Sequence, residues 1–145
     1  MAVVEKSALV PHSASQMYAL VNAVETYPDF LPWCAGAAVL SEEPGSMCAR
    51  IEVSRAGVHQ VFSTCNQLFA DERIELQLQD GPFKRLHGTW NFVPLREDAS
   101  KVSLRLEFEF SGRLINAAFG GVFSHIANNL VDAFCKRATE VYGVR

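Results

Sequence analysis

The apolar residues of this chain change their spacing once, around Gly112, and that change constrains the fold more than any other feature. Before it, Val102, Leu104, Leu106, Phe108 and Phe110 alternate strictly with Lys101, Ser103, Arg105, Glu107 and Glu109. Period two over such a run marks a strand with one buried and one wet face, as in an antiparallel sheet covered on one side. After it, Leu114, Ile115, Ala118, Phe119, Val122, Phe123, Ile126, Ala127, Leu130, Val131, Phe134, Cys135, Ala138, Val141 and Tyr142 recur at steps of three and four. That spacing predicts one amphipathic helix from Arg113 to Tyr142, stopped by Gly143 and roughly 45 Å long at 1.5 Å per residue. Gly120-Gly121 near its middle costs about 2 kcal/mol of helix propensity, which predicts a kink or a close approach there.

Upstream the same two periods recur. Val3–Val10 reads as a strand ended by Pro11. Ser13 and Gln16 have the spacing of a capping box, and Met17, Leu20, Val21 and Val24 give the following helix one apolar stripe. Tyr27–Trp33 carries two prolines four apart and four large apolar side chains, so it predicts a stubby second helix and a lip over something apolar. Strand patterns then follow at 47–54, 58–68, 74–79 and 85–92, with Ala56-Gly57 and Asp80-Gly81-Pro82 as breaks. Gly88 inside its strand predicts a bend or a close approach by something bulky.

The expected order is therefore strand, two helical pieces, six strands, long helix. This is an α+β chain in which a seven-stranded curved antiparallel sheet wraps a long C-terminal helix, with two short helices after the first strand. Its 145 residues suit a single domain. A sheet of that size curls, and a curled sheet on a straight helix leaves volume between them. The expected lining is Trp90, Phe92, Leu106, Phe108 and Phe110 from the sheet and Phe119, Phe123 and Ile126 from the helix, with Phe30 and Trp33 closing the mouth. Phe62, Thr64 and Asn66 share one parity of their strand. If that parity faces inward, Thr64 and Asn66 can hydrogen-bond a polar head group; the opposite parity, Val61, Ser63, Cys65 and Gln67, remains open.

The net charge of −3 argues against a non-specific nucleic-acid binder while leaving room for a local basic patch, and no DNA partner is expected. No apolar run approaches the ~20 residues that cross a bilayer, and the acid at Glu5 speaks against a signal peptide. The expectation is a cytoplasmic protein with room for peripheral contact at the inner membrane. Cys34, Cys48, Cys65 and Cys135 are scattered without a C-x-x-C pair, and free thiols are expected in a reducing compartment, with no zinc site. His12, His59 and His87 read as solvated, and His125 as a helix-flank residue able to border the pocket. No H-x-x-x-H, G-x-S-x-G or phosphate loop is present, so neither catalytic residues nor a cofactor are expected.

Tyr27-Pro28-x-Phe30-Leu31-Pro32-x-Cys34, Asp80-Gly81-Pro82-Phe83-Lys84, x-Leu86-x-Gly88-x-Trp90-x-Phe92, Phe108-Glu109-Phe110 and Phe119-Gly120-x-Val122-Phe123 together resemble the coenzyme Q-binding and ribosome-association-toxin branch of the START-like superfamily. The resemblance covers essentially the whole chain. It implies the helix-grip fold with an elongated hydrophobic tunnel between sheet and helix. It further implies binding of ubiquinone or a related polyisoprenoid lipid in support of respiration. Alternatively, it implies association with the large ribosomal subunit that blocks subunit joining. For the latter, Lys84, Arg85, Arg113, Lys136 and Arg137 are the available charges. A cyclase-like enzyme acting through His125 or Asn66 is the third reading.

Overall fold

The computed structural model describes residues 2–143. Its elements are β1 (Ala2–Val10), α1 (Ala14–Asn22), a 3₁₀ helix (Val24–Asp29), β2 (Cys34–Glu43), β3 (Ser46–Arg55), β4 (Val58–Phe69), β5 (Arg73–Asp80), β6 (Phe83–Arg96), β7 (Ala99–Phe110) and α2 (Arg113–Tyr142). The seven strands form one antiparallel sheet in the order β1-β7-β6-β5-β4-β3-β2. From β2 to β7 each strand pairs with the next, so short turns suffice. The one distant pairing is β1 on β7, from Ala2 opposite Phe108 to Val10 opposite Ser100. This is the helix-grip architecture expected from the sequence.

The period-two reading holds in detail. On β7, Val102, Leu104, Leu106 and Phe108 are buried while Lys101 and Arg105 are exposed. Register shifts interrupt the β2–β3, β4–β5 and β6–β7 ladders; such irregularities bend strands and add twist. α1 starts as a capping box, with the Gln16 amide donating to Ser13 Oγ at 3.1 Å and the Ser13 amide donating to Gln16 Oε1 at 3.0 Å. Its Met17, Leu20 and Val21 are buried.

α2 runs unbroken through Gly120-Gly121. A Cβ on Gly120 would stand 2.7 Å from Asn116 Oδ1 and 3.7 Å from Phe110 Cε2, so Gly120 is the close approach, whereas Gly121 faces open space. At Gly88 a Cβ would lie 2.7 Å from Leu106 Cδ1 and 3.3 Å from Leu76 Cδ1. Two leucines from the flanking strands occupy the space a side chain would need.

The seventh strand of the expected sheet, to which no alternating run was assigned, is β2: it is an edge strand, mostly half-buried or exposed, and two register shifts break its parity. Two sequence expectations need correction. His12 is not solvated but 1% exposed, its ring 5.8 Å from that of Tyr142 where α2 ends against α1. Tyr142 in turn donates to the Gln16 carbonyl at 3.0 Å. Cys48 and Cys65 are not free thiols: they sit directly opposite each other on β3 and β4 and form a disulfide. Cys34 and Cys135 keep their thiols.

Candidate functional site

Buried side chains fall into two clusters between sheet and helix. One gathers around Phe83, Phe108, Phe119 and Phe123, the other around Met17, Trp90, Phe92 and Phe134. Where they meet lies a cavity of about 110 Å³. That is on the scale of the ~150 Å³ cavity that admits a benzene ring. Its floor is the sheet, through Ala49, Ile51 and Val53 of β3, Phe62, Thr64 and Asn66 of β4, Ile74 and Leu76 of β5, Leu86 and Trp90 of β6, and Leu104 and Leu106 of β7. Its roof is Phe123, Ile126, Ala127 and Leu130 of α2. The end of α1, the 3₁₀ helix and Trp33 form the side wall.

Eight of the residues expected from sequence line this space: Trp33, Phe62, Thr64, Asn66, Trp90, Leu106, Phe123 and Ile126. The parity left open for β4 is the inward one for Thr64 and Asn66, 7% and 5% exposed. Phe30, Phe92, Phe108, Phe110 and Phe119 are absent from the lining. Phe30 does not close the mouth; it packs edge-on against Phe134 at 5.4 Å, with the Arg137 guanidinium 5.0 Å over its ring, and bolts the lip to α2. Phe92 stacks behind Trp90. Phe108, Phe110 and Phe119 join Phe62, Phe83 and Phe123 in a cluster of ring pairs with centroids 4.9 to 6.2 Å apart. Those rings fill the far end of the interior, so the elongated tunnel that the resemblance implies is a short chamber in this conformation.

The polar groups of the chamber are few. Thr64 Oγ1 donates to Asn66 Oδ1 at 2.8 Å, both inside the apolar floor. An amide whose oxygen is already engaged presents its Nδ2 protons as the donor. Asn22, the last residue of α1, also lines the chamber, and its buried Oδ1 accepts no hydrogen bond. Tyr27 is the one titratable side chain among the described lining residues. Its hydroxyl donates to the Val21 carbonyl. Burial, with a smaller effect of nearby Cys34, pushes its phenol well above the ordinary tyrosine range. A phenol so held keeps its proton and does not serve as a ready acid or base.

Sequence reasoning did not single out Asn22, because a polar residue at the end of a short helix is ordinary. Ala49, Ile51 and Val53 were legible as a buried strand face, but not as the face beneath the chamber. His125 is exposed and does not border it, while His59 pairs with Glu52 at 2.7 Å on the surface. The five cationic candidates do not form one patch. Lys84, Arg85 and Arg113 lie at one end, where the Ser111 amide bonds the Pro82 carbonyl. Lys136 and Arg137 lie some 23 residues further along α2, about 35 Å away. Lys84 pairs with Glu109 at 3.5 Å and Arg137 with Glu140 at 3.4 Å. No helix among the described residues is long and apolar enough to cross a membrane.

Residues 10–135 match a family model described as polyketide cyclase / dehydrase and lipid transport. Among curated proteins, the chain is 49% identical to the ribosome association toxin RatA of Escherichia coli K12, over 98% of this chain and 90% of that one. It is 51% identical to a protein of the same name from Vibrio cholerae, over 97% of each. A more distant relative is the mitochondrial coenzyme Q-binding protein COQ10 homolog B of Xenopus laevis, 29% identical over 95% of this chain and 58% of that one. Among solved structures, an 18 kDa Caulobacter crescentus protein is 28% identical with a TM-score of 0.76, covering 99% of this chain and 100% of that one. A Thermus thermophilus protein, at 19% identity and a TM-score of 0.79, covers 96% and 95%. An aromatase/cyclase from a Streptomyces species, at 18% and 0.78, covers 94% and 93%. The last two likenesses speak to the fold alone.

Proposed function

The chain belongs to the polyketide cyclase/dehydrase and lipid transport family, and from that premise we propose that it encloses a hydrophobic ligand of the quinone class. The observation that carries this reading is a buried, mutually hydrogen-bonded Thr64–Asn66 pair on the floor of an otherwise apolar, ring-sized chamber. A hydrophobic chamber with one or two placed polar groups is the usual form of a small-molecule site. Trp90, Leu106, Phe123 and Ile126 enclose the ring, and Thr64 and Asn66 hold its oxygen. Because the six phenylalanines fill the far end, an isoprenoid tail leaves past Trp33 instead of threading the fold. The protein acts by binding: no described lining side chain offers a proton at an accessible pKa, and relatives 49–50% identical bear the names of toxins, not of enzymes.

Gly88→Ala tests the reading. The added methyl displaces the flexible ends of Leu106 and Leu76, both of which line the chamber. Ligand retention falls at least several-fold while the unfolding midpoint shifts modestly, by about 1–2 kcal/mol at most. Full retention in a folded variant would place the ligand elsewhere.

A second reading is favoured by relatives 49–51% identical over nearly the whole chain and named for ribosome association. In it the surface of the same fold contacts the large ribosomal subunit, in the cytoplasm. The two readings use different parts of the molecule and are compatible. Lys84 and Arg85 stand beside Arg113 at one end of the fold and supply the cationic contact with phosphate. Charge reversal at Lys84 and Arg85 abolishes co-sedimentation with large subunits at low salt. Co-sedimentation that survives the reversal would move the contact off that end.

A further inference from the structure

α2 changes character part-way along the side it turns to solvent. Between Arg113 and Asp132 it carries no Asp, Glu, Lys or Arg, whereas Asp132, Lys136, Arg137 and Glu140 occupy its last turns. Leu114, Ala117, Ala118 and Gly121 in the uncharged part are exposed, and Leu114, at 86%, is the most exposed large apolar side chain among the described residues. A groove of about 600 Å³ continues this surface onto the sheet, lined by Ala2 and Phe110 on one side and by Asn116, Gly120 and Gly121 of α2 on the other. The polar face of a solvated helix ordinarily carries charges. One that lacks them over about five turns is suited to meet something other than water.

Cations rim this surface. Arg113 opens the helix, and the Ser111 amide, bonded to the Pro82 carbonyl at 3.0 Å, brings the exposed Lys84 and Arg85 to the same end. Asp80 and Glu109 are the acids there, and Glu109 is already engaged by Lys84 at 3.5 Å. No side chain caps the start of α2, so the amides of its first turn add positive potential. We infer that this end docks the protein on a bilayer of anionic lipid. Leu114 and the neighbouring alanines enter among the acyl chains, and Arg113, Lys84 and Arg85 meet the headgroup phosphates. An apolar helix face beside a basic rim is the usual form of an interfacial contact. The other exposed apolar group, Leu9, Val93 and Leu95, lies at the opposite end of the sheet, where Leu9 and Val93 flank Lys101. Glu97 and Asp98 stand against Arg96 and Lys101 in that sequence, so that end offers anionic headgroups no net attraction.

The inference rests on the ligand reading in one respect: a quinone-class molecule dissolves in bilayers, so a protein that loads one must reach a bilayer. Flotation of the full chain with vesicles of phosphatidylcholine, with and without phosphatidylglycerol, tests it. The protein floats with the mixed vesicles, and added salt weakens the association. Leu114→Ser weakens it several-fold. Arg113→Gln weakens it about fivefold, and only where phosphatidylglycerol is present. Leu9→Ser, the same kind of change at the opposite end, leaves it unaltered. The three positions are exposed, so the fold tolerates the substitutions. Absence of flotation, or flotation that survives Leu114→Ser, would overturn the docking surface. Neither result touches the chamber, whose ligand retention is measured without vesicles. Co-sedimentation with large ribosomal subunits by a protein that ignores vesicles would also overturn it, and would assign these cations to RNA phosphate.

Discussion

Tyr27 joins three parts of the molecule through one side chain. Its hydroxyl reaches the Val21 carbonyl near the end of α1, and its ring meets Phe134 of α2 edge-on at 5.4 Å and Phe30 at 6.2 Å. Folding raises its pKa because burial disfavours the phenolate. A raised folded-state value means that folding favours the protonated form. The contribution is therefore complete below the free tyrosine pKa of about 10 and is lost as pH climbs above it. Chemical denaturation should show stability declining above about pH 10. Tyr27→Phe should flatten part of that decline and cost about 1 kcal/mol at neutral pH for the lost hydrogen bond. Tyr18, Tyr142 and Cys34 are shifted in the same direction and keep some of the slope; an alkaline slope untouched by the substitution would contradict this account of Tyr27. At this scale the sequence was informative wherever strand parity decided the matter, as for Trp90 and Leu106. It was silent on Asn22, whose significance lies in what surrounds it and not in its own spacing.

The long helix shows what periodicity does and does not carry. Its face was legible because every third or fourth residue is apolar, and its glycine pair stood out against helix propensity. Which glycine is needed was not legible, since that depends on Asn116 and Phe110 around them. Gly121→Ala adds a methyl into open space and should raise stability by about 1 kcal/mol, read from the denaturation midpoint. Gly120→Ala should gain less, because Asn116 must rotate away from a Cβ 2.7 Å from its oxygen. A Gly121→Ala variant less stable than the parent would mean that its open face is required by the fold. β2 escaped notice for the opposite reason: an edge strand with two register shifts has no constant buried parity for a sequence to record. The Cys48–Cys65 bridge follows from the β3–β4 register, which places the two residues opposite each other although 17 positions separate them. Spacing alone does not report such a pair.

At the scale of the whole molecule, one sheet grips one helix, and the volume left between them is smaller and differently placed than the aromatic pattern suggested. The phenylalanines of β6, β7 and α2 mostly pack against one another at one end. The chamber opens where the two buried clusters meet, around small residues such as Ala49 and Ala127. Inward parity could predict that these side chains face the interior, but not which of them touch each other and which face empty space. That division is set by the curvature of the sheet and the register of its strands. Ring-sized space, an apolar lining and buried polar groups together make ligand binding the central claim. Its most direct test is native mass spectrometry of the protein purified gently from its own host, followed by organic extraction. The account predicts a stoichiometric adduct that extracts as an apolar molecule with an oxygenated ring. A protein that flies at its bare polypeptide mass and yields no lipid or quinone would contradict it.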